Sequence, residues 1–115
     1  AGGATPYKNL DCDETEDEIK ATAGKIFWMH AMNLHATTVR YLKLYNATAA
    51  NVTVGTTTPV HTFAVPPTTS GFALNCGAMG LQFDTAITVA ATTGFADNDT
   101  GAPGANEVIF NCGYL

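Results

Sequence analysis

Charge is what this chain has least of. Asp, Glu, Lys and Arg make up 13% of its 115 residues, about half the usual share, so hydroxyls and small side chains must cover much of its surface. Only five residues are Lys or Arg, they are scattered, and the net charge is -5. A phosphate-binding stripe is excluded, and nucleic acid with it as a partner. No apolar run nears the roughly 20 residues of a membrane-crossing helix, so no membrane partner is expected, and the residues after Ala1 do not read as a signal segment. Serine occurs once, at Ser70 in a Thr-Ser-Gly turn with no base implied nearby, which argues against a serine nucleophile. Cys12, Cys76 and Cys112 are odd in number and lack the short spacing of a zinc ribbon or redox motif. Buried free thiols are the expectation.

What acidity there is lies in one place. Asp11, Asp13, Glu14, Glu16, Asp17 and Glu18 are six of the ten carboxylates. Gly2, Gly3 and Pro6 discourage regular structure just before them, and a helix over 13–21 would have no apolar face to bury. Residues 1–23 therefore read as an extended acidic N-terminal arm. Its carboxylates repel one another unless a basic surface receives them, so the arm is expected to dock on a partner.

From Gly24 the pattern is that of strands. "VRYLKLYN" alternates cleanly, with Val39, Tyr41, Lys43 and Tyr45 on one side and Arg40, Leu42 and Leu44 on the other. "KIFWMHAMNL" places apolar residues in both alternating sets: Ile26, Trp28 and Met32 share the strand with Phe27 and Met29. One small sandwich has a single inner face, so the second set is expected to meet a neighbouring molecule, with Trp28 and Met32 at that interface. "PVHTFAV", "GFALNC", "LQF", "AITVAAT" and "EVIFNCGYL" follow, each bounded by Gly, Pro, Asn or Thr. Seven or eight short strands without a convincing helix predict one all-β sandwich over residues 24–115, with jelly-roll or Greek-key connections.

Few residues suggest chemistry. His30 and His35 fall on opposite faces of any strand containing both, and His61 is distant, so no imidazole metal site is expected. Cys76 and Cys112 end apolar strands, where a thiol is buried and inert. The carboxylates of 11–18 lack the rigid framework that acid and base catalysis needs. Asn-x-Thr at Asn46, Asn51 and Asn98 arises easily in so Thr-rich a chain. The segment "GFADNDTGAPGANEV" contains Asp97-Asn98-Asp99, readable as a weak cation site or as a polar turn. Counted from Asp97, the sixth and twelfth positions of a calcium loop hold Ala102 and Val108 where Gly and Glu are due, which favours the turn. No catalytic, cofactor or metal residue is assigned.

Four segments carry a resemblance: the strand Tyr41 to Tyr45, the turn Val54-Gly55-Thr56-Thr57-Thr58-Pro59, the run Gly80 to Phe83, and the loop Ala96 to Thr100. In this order, over about residues 24–115, the chain resembles a family of small virion structural proteins of tailed bacteriophages and prophages. The resemblance implies a β-sandwich made in the host cytoplasm and carried on the outer surface of the virion head, as a decoration or cement protein on the major capsid protein. A place in the tail or a fibre is the alternative. It implies no enzyme activity and no cofactor. A homo-oligomer is expected with it, a trimer if threefold lattice positions are occupied. A competing reading is a recognition module for host-surface sugars with Trp28 or Tyr114 as platform, although both residues read as strand positions.

Overall fold

The computed structural model describes residues 3–115, and among them there are nine strands and no α-helix. These are β1 (Thr5–Asn9), β2 (Asp17–Lys20), β3 (Gly24–Asn33), β4 (Arg40–Tyr45), β5 (His61–Val65), β6 (Phe72–Asn75), β7 (Leu81–Phe83), β8 (Ile87–Thr92) and β9 (Val108–Tyr114). One 3₁₀ turn spans Ala49–Asn51.

The strands form two antiparallel sheets. The first runs β1-β9-β3-β6, with β7 pairing the N-terminal part of β3 beyond the end of β6; the second runs β2-β8-β4-β5. If β6 and β7 are taken as one edge position, the chain crosses between sheets in the order of an eight-stranded jelly roll. Between the sheets lies a core of Cys12, Ile26, Met29, Leu42, Leu44, Ile87, Val89, Val108, Phe110, Cys112 and their neighbours. The rings of Phe63 on β5 and Phe72 on β6, 5.5 Å apart, close it at one side.

The N-terminal arm expected outside the sandwich is part of it. Thr5 to Asn9 pair with Tyr114 to Phe110, and Asp17 to Lys20 pair with Val89 to Ile87, so each sheet takes an edge strand from this segment. Cys12 is fully buried and Ile19 nearly so. The segment conceals its role because its two anchors are single residues, and single buried positions make no periodic signal. A domain boundary at residue 23 is therefore corrected: the described residues form one body.

At the junction of β3 and β4, Asn33 is buried and fully used. Its Nδ2 donates to the carbonyls of Thr38 and Val65 at 2.9 and 3.0 Å, and its Oδ1 accepts from the amide of His35 at 2.9 Å. Gly71 lies so close to β3 that a Cβ would come within 1.9 Å of the Ala31 carbonyl oxygen, which requires glycine there.

Candidate interaction surface

The outer faces of the two sheets differ. In the second sheet Leu42, Leu44, Ile87, Val89 and Ala91 point inward, yet the outward residues Lys43, Tyr45, Thr88, Ala90 and Thr92 are buried as well. Loops roof them. Val52 joins Tyr45 and Ala90 in a second apolar cluster flanked by Ala47 and Val54, Thr88 Oγ1 donates to the Ala47 carbonyl, and Thr92 Oγ1 to that of Gly94. The Asp97-Asn98-Asp99 segment belongs to this roof. Asp99 accepts the amide of Gly101 on Oδ1 at 2.8 Å, its own amide donates to the Ala96 carbonyl, and Lys43 Nζ reaches that same carbonyl at 2.5 Å. Burial pushes the Lys43 pKa down, while Asp99 and Asp97 pull it back up. The polar turn is thus fastened over a buried ammonium. Among the described residues no three His, Cys, Asp or Glu side chains converge as metal ligands.

The first sheet carries no such roof over β3 and β6. β3 explains why both of its alternating sets are apolar: Ile26 pairs with Tyr114 and Trp28 with the next residue, Gly113, so Phe27 is the extra residue of a β-bulge. The inward set changes parity there, from Ile26 to Met29, Ala31 and Asn33, all buried. The two-sided pattern therefore does not by itself require a second copy. Outside remain Phe27, Trp28, His30 and Met32, of which Trp28 is 43% exposed, and Met32 lies opposite Ile109.

Phe27, Trp28, His30, Ala73, Asn75 and Gly77 border an open groove of about 480 Å³ over the β3–β6 pair. The indole rests on β9 at Gly113, where an added Cβ would lie 2.2 Å from Trp28 Nε1. Asn75 holds its amide with Oδ1 on the Gly77 N–H at 2.9 Å. Of these residues sequence reasoning picked out only Trp28. The signal for Phe27 was the break in alternation at Phe27-Trp28, which marks a bulge and not a strand covered on both sides; the β6 residues carried none.

The acidic residues lie at the other side of the sandwich, where β1 and β2 form the sheet edges. Most are used in local structure. Asp11 Oδ1 accepts the amide of Asn106 at 2.7 Å, Asp13 Oδ1 that of Thr15 at 3.0 Å, Glu18 Oε1 that of Ala49 at 3.0 Å, and Asp17 Oδ2 accepts from Asn9 Nδ2 at 2.8 Å. Glu14 and Glu16 make no hydrogen bond among the described residues. The run is thus a tied turn between two sheets, with two free carboxylates, and Trp28 and Met32 are not close to it in the sheet order.

The three histidines sit in separate surroundings. His30 faces out from the first sheet, His35 Nδ1 accepts the amides of Thr37 and Thr38, and the His61 ring stacks on Phe63 at 5.9 Å. All three cysteines are free. Burial pushes the Cys112 thiol up to about 12 and the Cys12 thiol upward as well, with Asp17, Asp13 and Asp11 adding to the latter. Neither is a nucleophile at neutral pH. Arg40 Nε meets Glu107 Oε2 at 2.6 Å, a pair that ties the start of β4 to the start of β9. No family model matches the chain, and no curated protein matches it.

Proposed function

We propose that the chain is a structural protein of a phage virion, a decoration or cement protein that binds the outside of the head and stabilises the lattice of the major capsid protein, without catalysis. The observation that carries this reading is where three of the four resemblance segments meet. Tyr41 to Tyr45 lies in β4, and its Lys43 holds the Ala96 carbonyl of the 96–100 loop. A Cβ on Gly55, in the 54–59 turn, would lie 2.4 Å from Thr100 Cγ2, and Val54 packs on the Tyr45 cluster. Segments 41–45 and 96–100, more than 50 residues apart, thus meet together with the 54–59 turn, as a shared architectural signature would require. The jelly-roll order adds support by analogy, since that architecture recurs in viral capsid and lectin domains.

Attachment is assigned to the acidic turn, Asp11 to Glu18. Its free Glu14 and Glu16 suit a Lys- or Arg-lined capsid surface, and the opposite side with the Trp28 groove is left facing outward. Binding the assembled lattice in preference to free subunits stabilises the shell by mass action. A trimer on threefold positions remains part of the proposal. The test is co-sedimentation of the chain with undecorated heads across a salt series, together with its copy number in the virion. Hundreds of copies, and binding that weakens with salt and in Glu14→Lys/Glu16→Lys, are expected. A handful of copies would place it in the tail or a fibre, and salt-independent binding unchanged in the variant would remove the acidic turn from the interface.

A further inference from the structure

The groove over β3 and β6 combines three features that point to one class of ligand. Its floor is an indole already fixed in place: Trp28 is supported by Gly113 and 43% exposed, so little side-chain freedom is left to lose on binding. Beside it stand polar groups with spare capacity. Asn75 has Oδ1 occupied by the Gly77 N–H, which fixes the amide and leaves Nδ2 free to donate, and the His30 ring makes no hydrogen bond among the described residues. Gly77, at φ 80°, leaves open space where a Cβ would project. The third feature is neutrality, since none of the described residues bordering the groove is Asp, Glu, Lys or Arg, in a chain of net charge -5.

We propose that this groove binds a neutral pyranose, the terminal hexose of a glycan. A pyranose has an apolar face of ring C–H groups to lay against an indole and a rim of hydroxyls that both donate and accept, matching Asn75 Nδ2 and the His30 nitrogens. An anionic ligand would find no cation there. A purely apolar peptide would bury Asn75 and His30 without partners, at a cost comparable to a lost hydrogen bond for each. The volume is in the range of small-ligand sites. Single-site affinity of such an open groove is weak, with Kd on the order of 1 mM. Many copies on one particle would raise the avidity. The inference concerns the groove alone and holds wherever on the virion the chain sits.

Trp28 is the only tryptophan, so indole emission reports on this groove and nothing else. The experiment titrates the full chain with methyl β-glucopyranoside, methyl β-galactopyranoside and N-acetylglucosamine, reading Trp28 emission and its protection from acrylamide. A saturable change with at least one sugar is expected. Asn75→Ala and His30→Ala should each weaken it about fivefold, as loss of one net hydrogen bond does. Trp28→Ala, followed by shifts of the Asn75 side-chain amide in NMR, should abolish binding while retaining a cooperative melting transition. No saturable change with any of the three sugars overturns the proposal, as does wild-type affinity in both polar variants. A Trp28 emission shift on mixing with undecorated heads, with no sugar response, would show the groove to be a protein contact and also overturns it. Co-sedimentation of Trp28→Ala with heads keeps the two readings separate: the acidic-turn attachment predicts it unchanged, whatever the sugars do.

Discussion

Deleting residues 1–20 should unfold the domain or nearly so. The entropy of ordering those residues leaves with them, so the loss is best counted on what stays behind. β9 would lose its partner along Phe110 to Tyr114 and β8 along Ile87 to Val89. Val108, Phe110, Ile87 and Val89, all fully buried, would become edge residues of sheets with gaps where Cys12 and Ile19 had been. Uncovering half of each costs about 1 kcal/mol apiece on the transfer scale, or about 4 kcal/mol together. Set against the roughly 5–15 kcal/mol of a typical domain, that is a large share. At about 4–8 °C per kcal/mol for this size, the melting temperature followed by β-type circular dichroism should fall by about 15–30 °C, or the transition should vanish. Ile19→Ala in the full chain tests the same packing without truncation and should cost about 2–4 kcal/mol. A truncated chain melting within about 4 °C of the full one would refute the reasoning, because it would mean that β1 and β2 lie on the sandwich without holding it.

Two further outcomes follow from buried groups. Burial holds Cys112, Tyr7 and Tyr45 up to about 12, above ordinary values of 9.0 for the thiol and 10.0 for the phenols. Their contribution is complete below those ordinary values and is lost as pH rises toward the folded ones, so Cys112 alone should remove about 2 kcal/mol by about pH 10.5. The urea midpoint should therefore fall between about pH 8.5 and 10.5, less steeply in Cys112→Ala, and opposed by Lys43, whose lowered pKa adds stability over the range below its ordinary 10.5. A midpoint flat across that range would contradict the burial of these groups. At Lys43 itself, Lys43→Ala should cost about 2–4 kcal/mol through the void it leaves, while Lys43→Met, which keeps the stem, should cost much less in urea unfolding. Equal losses would mean that the bond to the Ala96 carbonyl, and not the packed stem, holds the roof.

Seven of the nine strands were legible because each pairs an apolar pattern with Gly, Pro, Asn or Thr punctuation. β4 and β8 show the limit of that reading. Lys43 and Thr88 look like solvent-facing positions and are buried, because loops 46–59 and 93–104 fold back over the sheet. Such coverage depends on contacts remote in sequence, Lys43 with Ala96 among them, that no local period encodes. β1 and β2 were lost for a different reason. Their carboxylates, which read as mutual repulsion awaiting a partner, are in large part acceptors for amides of the same chain: Asp11 for Asn106, Asp13 for Thr15, Glu18 for Ala49. Thr15 lies in the same turn as its acceptor, while Asn106 and Ala49 come close only in the folded chain.

The groove teaches the opposite lesson, since its signal stands in the sequence but has two readings. A strand with apolar residues in both sets can be covered on both faces, or it can contain one extra residue that exchanges the sets midway. The two differ in a way the sequence already displays. In "IFWM" the apolar run is continuous across the change, Ile26 and Met29 being three apart, an odd offset that one flat strand cannot turn to the same face. Ile26 and Met29 are both buried, so the phase had to slip between them, and the slip leaves Phe27 and Trp28 together on the outside. Bulges re-aim side chains at sites of contact. Trp28, which alternation alone would place against a second copy of the chain, is on this geometry the floor of a groove open in the single chain.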